Sequence, residues 1–155
     1  MFRIHLPQRL FLTLMRFRRG MTLGVRAVVL DGENRVFLVR HGYTPGWHFP
    51  GGGVEIGETI HDALVRELEE EGGIVLDGAP EFFGMYLGSE SSARDHVAVF
   101  VCRAWHEVRE RRPNFEINDS GFFARHELPA GTTNRTRERL EEILDGVPPF
   151  ANWRF

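Results

Sequence analysis

Four glutamates dominate the chemistry this sequence can carry: Glu58, Glu67, Glu70 and Glu71, all within the stretch GGVEIGETIHDALVRELEEEGGI from Gly52 to Ile74. If residues 59–72 form one helix, Glu67, Glu70 and Glu71 fall at i, i+3 and i+4 and project from one face. Like charges so placed repel by roughly 0.2–0.5 kcal/mol per pair in water, and more strongly where solvent is excluded. A hard divalent cation relieves that repulsion, because Mg2+ prefers oxygen ligands and takes one or two carboxylates together with substrate phosphates. The spacing therefore asks for a metal and points to phosphate.

The same stretch contains the signals that would place those acids. Leu64, Val65 and Leu68 form an apolar stripe beside the acid face, so the helix can rest on a core while its acids line a cleft. Asp62 and Glu69 are left for solvent. Arg66, next to Glu67, can hold a carboxylate with its planar fork of donors. Gly51, Gly52, Gly53 and Gly57 permit close backbone approach ahead of the helix, and Gly72 with Gly73 ends it.

An acidic run between flexible glycines is ordinarily a solvated helix face. What sets this one apart is the full pattern: Gly52, five residues, Glu58, seven residues, Arg66-Glu67, an aliphatic at Leu68, any residue, Glu70-Glu71, any residue, Gly73, and an aliphatic at Ile74. The stretch resembles the Nudix box at every constrained slot. The resemblance implies an α/β fold, the Nudix-type α/β/α sandwich with a mixed β-sheet between helices. It also implies hydrolysis, with Mg2+ or alternatively Mn2+, of a nucleoside diphosphate linked to another moiety, yielding a nucleotide and a phosphorylated product. Glu67, Glu70 and Glu71 would be the metal ligands, aided by a backbone carbonyl at Gly51 or Gly52, with Glu58 and Arg66 orienting them. Glu67 or Glu70, ahead of Glu116, would accept a proton from the attacking water.

At 155 residues the chain fits one domain, and its hydrophobic and charged fractions of 42% and 26% are those of an ordinary water-soluble protein. A net charge of -3 gives no global reason to expect a nucleic-acid partner. The one cysteine, Cys102, excludes an intramolecular disulfide and suits a cytoplasmic setting. All 19 basic residues are arginine, so no lysine takes part in the chemistry.

The charge is unevenly spread. Residues 1–20 carry five arginines and no acid, leaving -8 over the remainder. Leu6, Leu10, Leu14 and Phe17 recur at helical spacing, so this segment reads as a basic amphipathic helix that packs on its own domain or a homodimer partner, or touches a membrane surface. It is too short and too charged to span a bilayer. Residues 21–150 make the catalytic domain and 151–155 a tail, whose aromatic residues would cover the core or a dimer partner.

Along that domain, Thr22 to Leu30 and Arg35 to Arg40 flank the turn Asp31-Gly32-Glu33-Asn34 and read as a hairpin. Arg26 and Arg40 sit among apolar neighbours, each either a substrate-anion ligand or paired with an acid; Arg40, at the end of its strand, is favoured as ligand. In the loop HGYTPGWHFP, Trp47 and Phe49 offer a stacking face for a base or pack in the core. His41 and His48 contact phosphate or are structural. After strand-like runs at 81–87 and 96–105, residues 107–120 read as a loop. Within it Glu116 stands where MutT-type relatives place a further acid, so the resemblance makes it a candidate for substrate or metal contact. Thr132 or Thr133 caps a last helix through Leu144.

Two other readings stay open: a non-catalytic nucleotide-binding module that kept the fold, and a protein whose attachment through residues 1–20 matters more than its chemistry. The group beyond the two phosphates is not encoded in the box, so ADP-ribose, nucleotide sugars and oxidised nucleoside triphosphates all fit.

Overall fold

The computed structural model describes residues 20–88, 94–108, 116–149 and 152–153. The amphipathic reading of residues 1–20 falls, but for Gly20, outside the described residues. Among the described residues no helix is long and apolar enough to cross a membrane.

Strand β1 (Thr22–Val29) is Val-rich because both its faces are covered. Val25, Ala27 and Val29 enter one core with Ala63, Leu64 and Leu68, while Val28 enters a second with Tyr86 and Leu140. The same alternation runs through β5 (Asp95–Cys102), which sends Ala98, Phe100 and Cys102 to the first core and Val99 and Val101 to the second. Helix α1 (Ile60–Glu67) therefore covers one side of the sheet and α2 (Asn134–Asp145) the other. This is the expected α/β/α sandwich with a mixed sheet. Its main sheet has the order β1-β5-β4-β8, with β4 at Glu81–Gly88 and β8 at Asn152–Trp153; β1 runs parallel to β5 and β4 antiparallel to it. Two antiparallel pairs complete it: β2 (Val36–His41) with β7 (Ile117–Phe123), and β3 (Ile74–Leu76) with β6 (Trp105–Glu107). Glu107 thus ends a strand and Ile117 opens one, so the reading of 107–120 as loop is too long at both ends. Cys102 is buried.

The expected β1–β2 hairpin exists only at its closed end. The strands meet at one bridge, Leu30 with Val36, and then diverge, β1 to β5 and β2 to β7. The open edge of β1 is taken instead by the glycine segment. Ala27 N–H donates to the Pro50 carbonyl and Val25 N–H to that of Gly52, each at 2.9 Å, while Val54 N–H donates to Leu23 at 2.8 Å. Only glycine fits at position 51: its φ is +137°, and a Cβ would strike the Val25 carbonyl. This clamp brings the glycine turn beside Arg26.

Helix α1 starts on a capping box. Thr59 Oγ1 accepts from Asp62 N–H at 3.1 Å, and the Asp62 carboxylate accepts from Thr59 N–H at 3.3 Å. The α-helix stops at Glu67, earlier than the expected single helix through residue 72. Leu68–Gly72 continues as a wide π turn, closed by Gly73 in the left-handed conformation at φ 61°. An extra residue per turn rotates the following side chains relative to an ideal α-helix, and such turns gather at functional sites.

Candidate active site

The π turn divides the acids between two settings. Glu71 turns inward, where its Oε2 accepts from Gly51 N–H at 2.8 Å and its Oε1 lies 3.4 Å from His41 Nε2, with both side chains almost sealed from solvent. Glu67 lies against the Cα of Gly52, in space that any Cβ at that position would fill. Glu71 thus meets the glycine turn at Gly51 and Glu67 meets it at Gly52. Glu70 stays on the outer side, half exposed.

Arg66 ties the outer side together. Its Nε donates to Glu58 Oε1 at 2.9 Å and its Nη2 to Glu58 Oε2 at 3.2 Å and to the Gly53 carbonyl at 3.0 Å. Its Nη1 reaches Glu67 Oε1 at 2.8 Å and Glu70 Oε2 at 3.3 Å. The hydrogen bonds from Arg66 hold the Glu58 carboxyl below its ordinary range, and those to Glu58 raise the guanidinium above its own. Lysine has no planar fork with which to hold five acceptor oxygens on four residues at once. If Glu67 and Glu70 are metal ligands, as the Nudix resemblance implies, Arg66→Lys should cut turnover by about tenfold or more, the range for lost supporting partners of such ligands. Steady-state kinetics beside circular dichroism checks this, with folding expected to be unchanged.

Burial pushes the Glu71 carboxyl up to about 7, with Glu67 and Glu116 adding to the rise while the Gly51 N–H and Arg26 oppose it. Burial also lowers Arg26, with Glu71 and Glu67 as its nearest compensating charges. His41 is pushed down to about 4 by burial and by Arg26, so it is neutral at pH 7.

The three acids expected to project from one helix face are not gathered into a ready metal cluster: among the described residues, no three His, Cys, Asp or Glu side chains form one. Arg66 Nη1 bridges Glu67 and Glu70, while Glu71 is turned inward onto Gly51 N–H. The donor set nevertheless suits a hard cation. It is made of carboxylate oxygens, with the Glu71 carboxyl raised by burial and Glu67 packed against a glycine with no Cβ.

Beside Gly51 and Gly52 opens a cavity of about 540 Å³ lined by Arg26, His41, Tyr43, His48 and the start of α2 at Thr133–Thr136. Arg26 is in it; Arg40, the arginine favoured from sequence, is not. Arg40, one residue before the end of β2, is exposed, with Nη2 3.4 Å from Asp119 and its guanidinium 5.5 Å over the Trp47 ring. Trp47 is itself buried, edge-on to Phe123 at 5.0 Å, and so presents no free face for a base. Glu116 is exposed, and its carboxylate acts on Glu71 and Tyr43 electrostatically. Sequence reasoning passed over Tyr43, Asn134 and Arg135. The available signal for the last two was their place directly after the capping threonine.

Comparison with known proteins identifies the family. Residues 20–144 match the NUDIX domain. An ADP-ribose pyrophosphatase of Methanocaldococcus jannaschii is 30% identical over 110 residues, covering 66% of this chain and 64% of that protein, just under two thirds of its length. An RNA pyrophosphohydrolase of Francisella philomiragia is 32% identical over 117 residues, covering 68% of this chain and 76% of that one. The crystal structure of a MutT NUDIX hydrolase from Burkholderia pseudomallei superposes with a TM-score of 0.70 at 25% identity, over 80% of this chain and 98% of that one. The chain belongs to the NUDIX domain family.

Proposed function

We propose that this protein is a divalent-cation-dependent pyrophosphohydrolase that splits a small nucleoside diphosphate derivative into a nucleotide and a phosphorylated product. The observation that carries the reading is the carboxylate pair Glu67 and Glu71 held against Gly52 and Gly51, two residues that also line the cavity containing Arg26. Pyrophosphatases and pyrophosphohydrolases among the relatives support it.

Glu67, Glu70 and Glu71 would hold the cation, Mg2+ or alternatively Mn2+. When bound it supplies charge neutralisation at the bridging phosphates and Lewis-acid activation. Arg66 and Glu58 fix the direction of the outer carboxylates, and Arg26 neutralises phosphate charge from the cavity side. Water attacks one phosphorus, the bond from that phosphorus to the bridging oxygen breaks, and a glutamate takes the proton that the water gives up. Glu67 and Glu70 fit that last task better than Glu116, because they stand on the acid helix itself.

Glu71 gives this reading a pH signature. Its carboxyl, near 7 in the metal-free fold against an ordinary 4.5, binds a proton more tightly folded than unfolded. Its contribution to metal-free stability therefore falls as pH rises from 4.5 to 7 and is level above. A cation must displace that proton, so apparent Mg2+ affinity should rise about tenfold between pH 6 and pH 8 with proton release at the lower pH. Calorimetry in buffers of different ionisation enthalpy measures both, and a pH-independent affinity contradicts the assignment of Glu71.

The function itself is tested by incubating the protein and Mg2+ with ADP-ribose, nucleotide sugars, nucleoside triphosphates and their oxidised forms, then identifying products by mass. A nucleotide and a phosphorylated partner are expected from at least one of them. Cleavage of none would favour the binding-module alternative.

A further inference from the structure

Helix α2 meets the sheet along two rows of unlike character. Leu140, Ile143 and Leu144 enter the second core with Val28 and Val99. Beside them Thr136, Arg139 and Glu142, spaced three apart and so neighbours on the helix surface, are buried as well. An apolar row is enough to seat an amphipathic helix. The polar row is nevertheless sealed: Arg139 is 1% exposed, Glu142 4%, and Tyr86 of β4, which they meet, 0%. None of these three side chains takes part in the chemistry above.

The polar row is tied to fixed points outside the helix. Thr136 Oγ1 donates to the Trp47 carbonyl at 3.1 Å, and Tyr86 O–H donates to Glu142 Oε2 at 2.9 Å. Arg139 Nη2 donates to Glu142 Oε1 at 2.7 Å, and its guanidinium lies 4.4 Å from the centre of the Tyr86 ring. Glu142 thus gives one oxygen to the strand and the other to its own helix. Hydrogen bonds of this kind weaken steeply with distance and angle, and a slide of α2 by one residue, about 1.5 Å, would break those to Trp47 and Tyr86. The apolar row is more tolerant, because cores of the right volume lose uniqueness before they lose stability.

A buried ion pair is a poor source of stability. Desolvation offsets much of its attraction, and well-packed apolar side chains in its place are often neutral or stabilising. What apolar side chains do not supply is a single register. That register matters at the site, since the first turn of α2, Thr133–Thr136, lines the same cavity as Arg26, Gly51 and Gly52. Tyr86 is in register with Val97, and Val97 with Gly24, two residues before Arg26 on β1. Tyr86 therefore references α2 to the sheet that carries Arg26, and Trp47 references it to the chain leading into the glycine turn.

We propose that Tyr86, Arg139 and Glu142 are positioning residues for the reaction: they lock the rotation and register of α2 on the sheet, and so hold the Thr133–Thr136 wall of the cavity at the spacing from Arg26 and the glycine turn that the substrate requires. This rests on the phosphoanhydride reading above, which makes that cavity the substrate's.

The test replaces the trio with apolar side chains of similar size, Tyr86→Phe, Arg139→Met and Glu142→Leu together, in the full-length protein. The thermal midpoint should equal or exceed that of the parent, and Mn2+ affinity, set by the acids of α1 and its π turn, should stay within about twofold. KM for a cleaved member of the substrate panel should rise at least about fivefold with kcat within about threefold, the pattern of lost uniform binding. Tyr86→Phe alone keeps the ring that faces Arg139 and removes only the bond to Glu142, so it should raise KM by about twofold or more. A triple variant whose midpoint falls by more than about 5 °C, or which does not fold, would make the trio a stability element and overturn the proposal. Parental KM in both variants would overturn it equally, and with hydrolysis by the parent intact would defeat the positioning role alone. Hydrolysis of nothing by the parent defeats the phosphoanhydride reading and the positioning role with it.

Discussion

Glu71→Gln should lower turnover with Mg2+ by at least about a hundredfold, equivalent to about 2.7 kcal/mol of transition-state stabilisation, while the protein remains folded. Glutamine has nearly the shape of glutamate and retains an oxygen to accept from Gly51 N–H, so the 2.8 Å contact that seats the π turn against the glycine turn survives. What disappears is the charge. Neutral glutamine is a poor ligand for a hard cation, and the side chain is too enclosed for solvent to compensate. Arg26 loses one of two compensating carboxylates and keeps Glu67, so a thermal midpoint within about 5 °C of the parent is expected. Kinetics on purified protein with a parallel melting curve decides the matter. Undiminished turnover would remove Glu71 from the site.

Gly51→Ala should have the largest effect on stability, about 3 kcal/mol or more, from two causes that act together. The residue sits at φ +137°, where an L side chain is strained, and the new Cβ would collide with the Val25 carbonyl, which is backbone and cannot swing aside. Any relief must shift the Pro50–Val54 segment off the edge of β1, and with it the N–H that holds Glu71, so activity should fall as well. Gly57→Ala is the control. Its φ of +89° carries strain but nothing lies within 4 Å of the added methyl, and a cost nearer 1 kcal/mol is expected. Urea unfolding of the two variants measures both numbers, and equal costs would mean that the contact with β1 matters little.

The acid helix was legible because its signals are local. Thr59 at the cap, Leu64 and Leu68 at helical spacing and the glycines at either end all act within a few residues, and the structure uses each one. The π turn was not legible, since it is imposed from outside: Glu71 is drawn to an N–H twenty residues away. The parting of β1 and β2 has a similar origin. Nothing in Thr22–His41 reveals that Pro50–Val54 will compete for the edge of β1, because edge pairing depends on segments distant in sequence. The choice between Arg26 and Arg40 turned on the same point. Both sit among valines, but the register that lays the glycine turn along β1 puts Arg26 beside the acids, while Arg40 lies near the end of β2 over Trp47 and next to Asp119. Within the loop, Trp47 illustrates the limit of composition: a large aromatic near a glycine turn is equally suited to stacking and to packing, and only the facing Phe123 decides.

The central claim is that the carboxylates of the α1 helix and its π turn hold a divalent cation. Mn2+ titration of the full-length protein, with free ion read by electron paramagnetic resonance, tests it without reference to any substrate. The account predicts saturable binding to the parent that weakens at least about tenfold in each of Glu67→Gln, Glu70→Gln and Glu71→Gln. Mn2+ binding that is the same in the parent and in all three variants would contradict it.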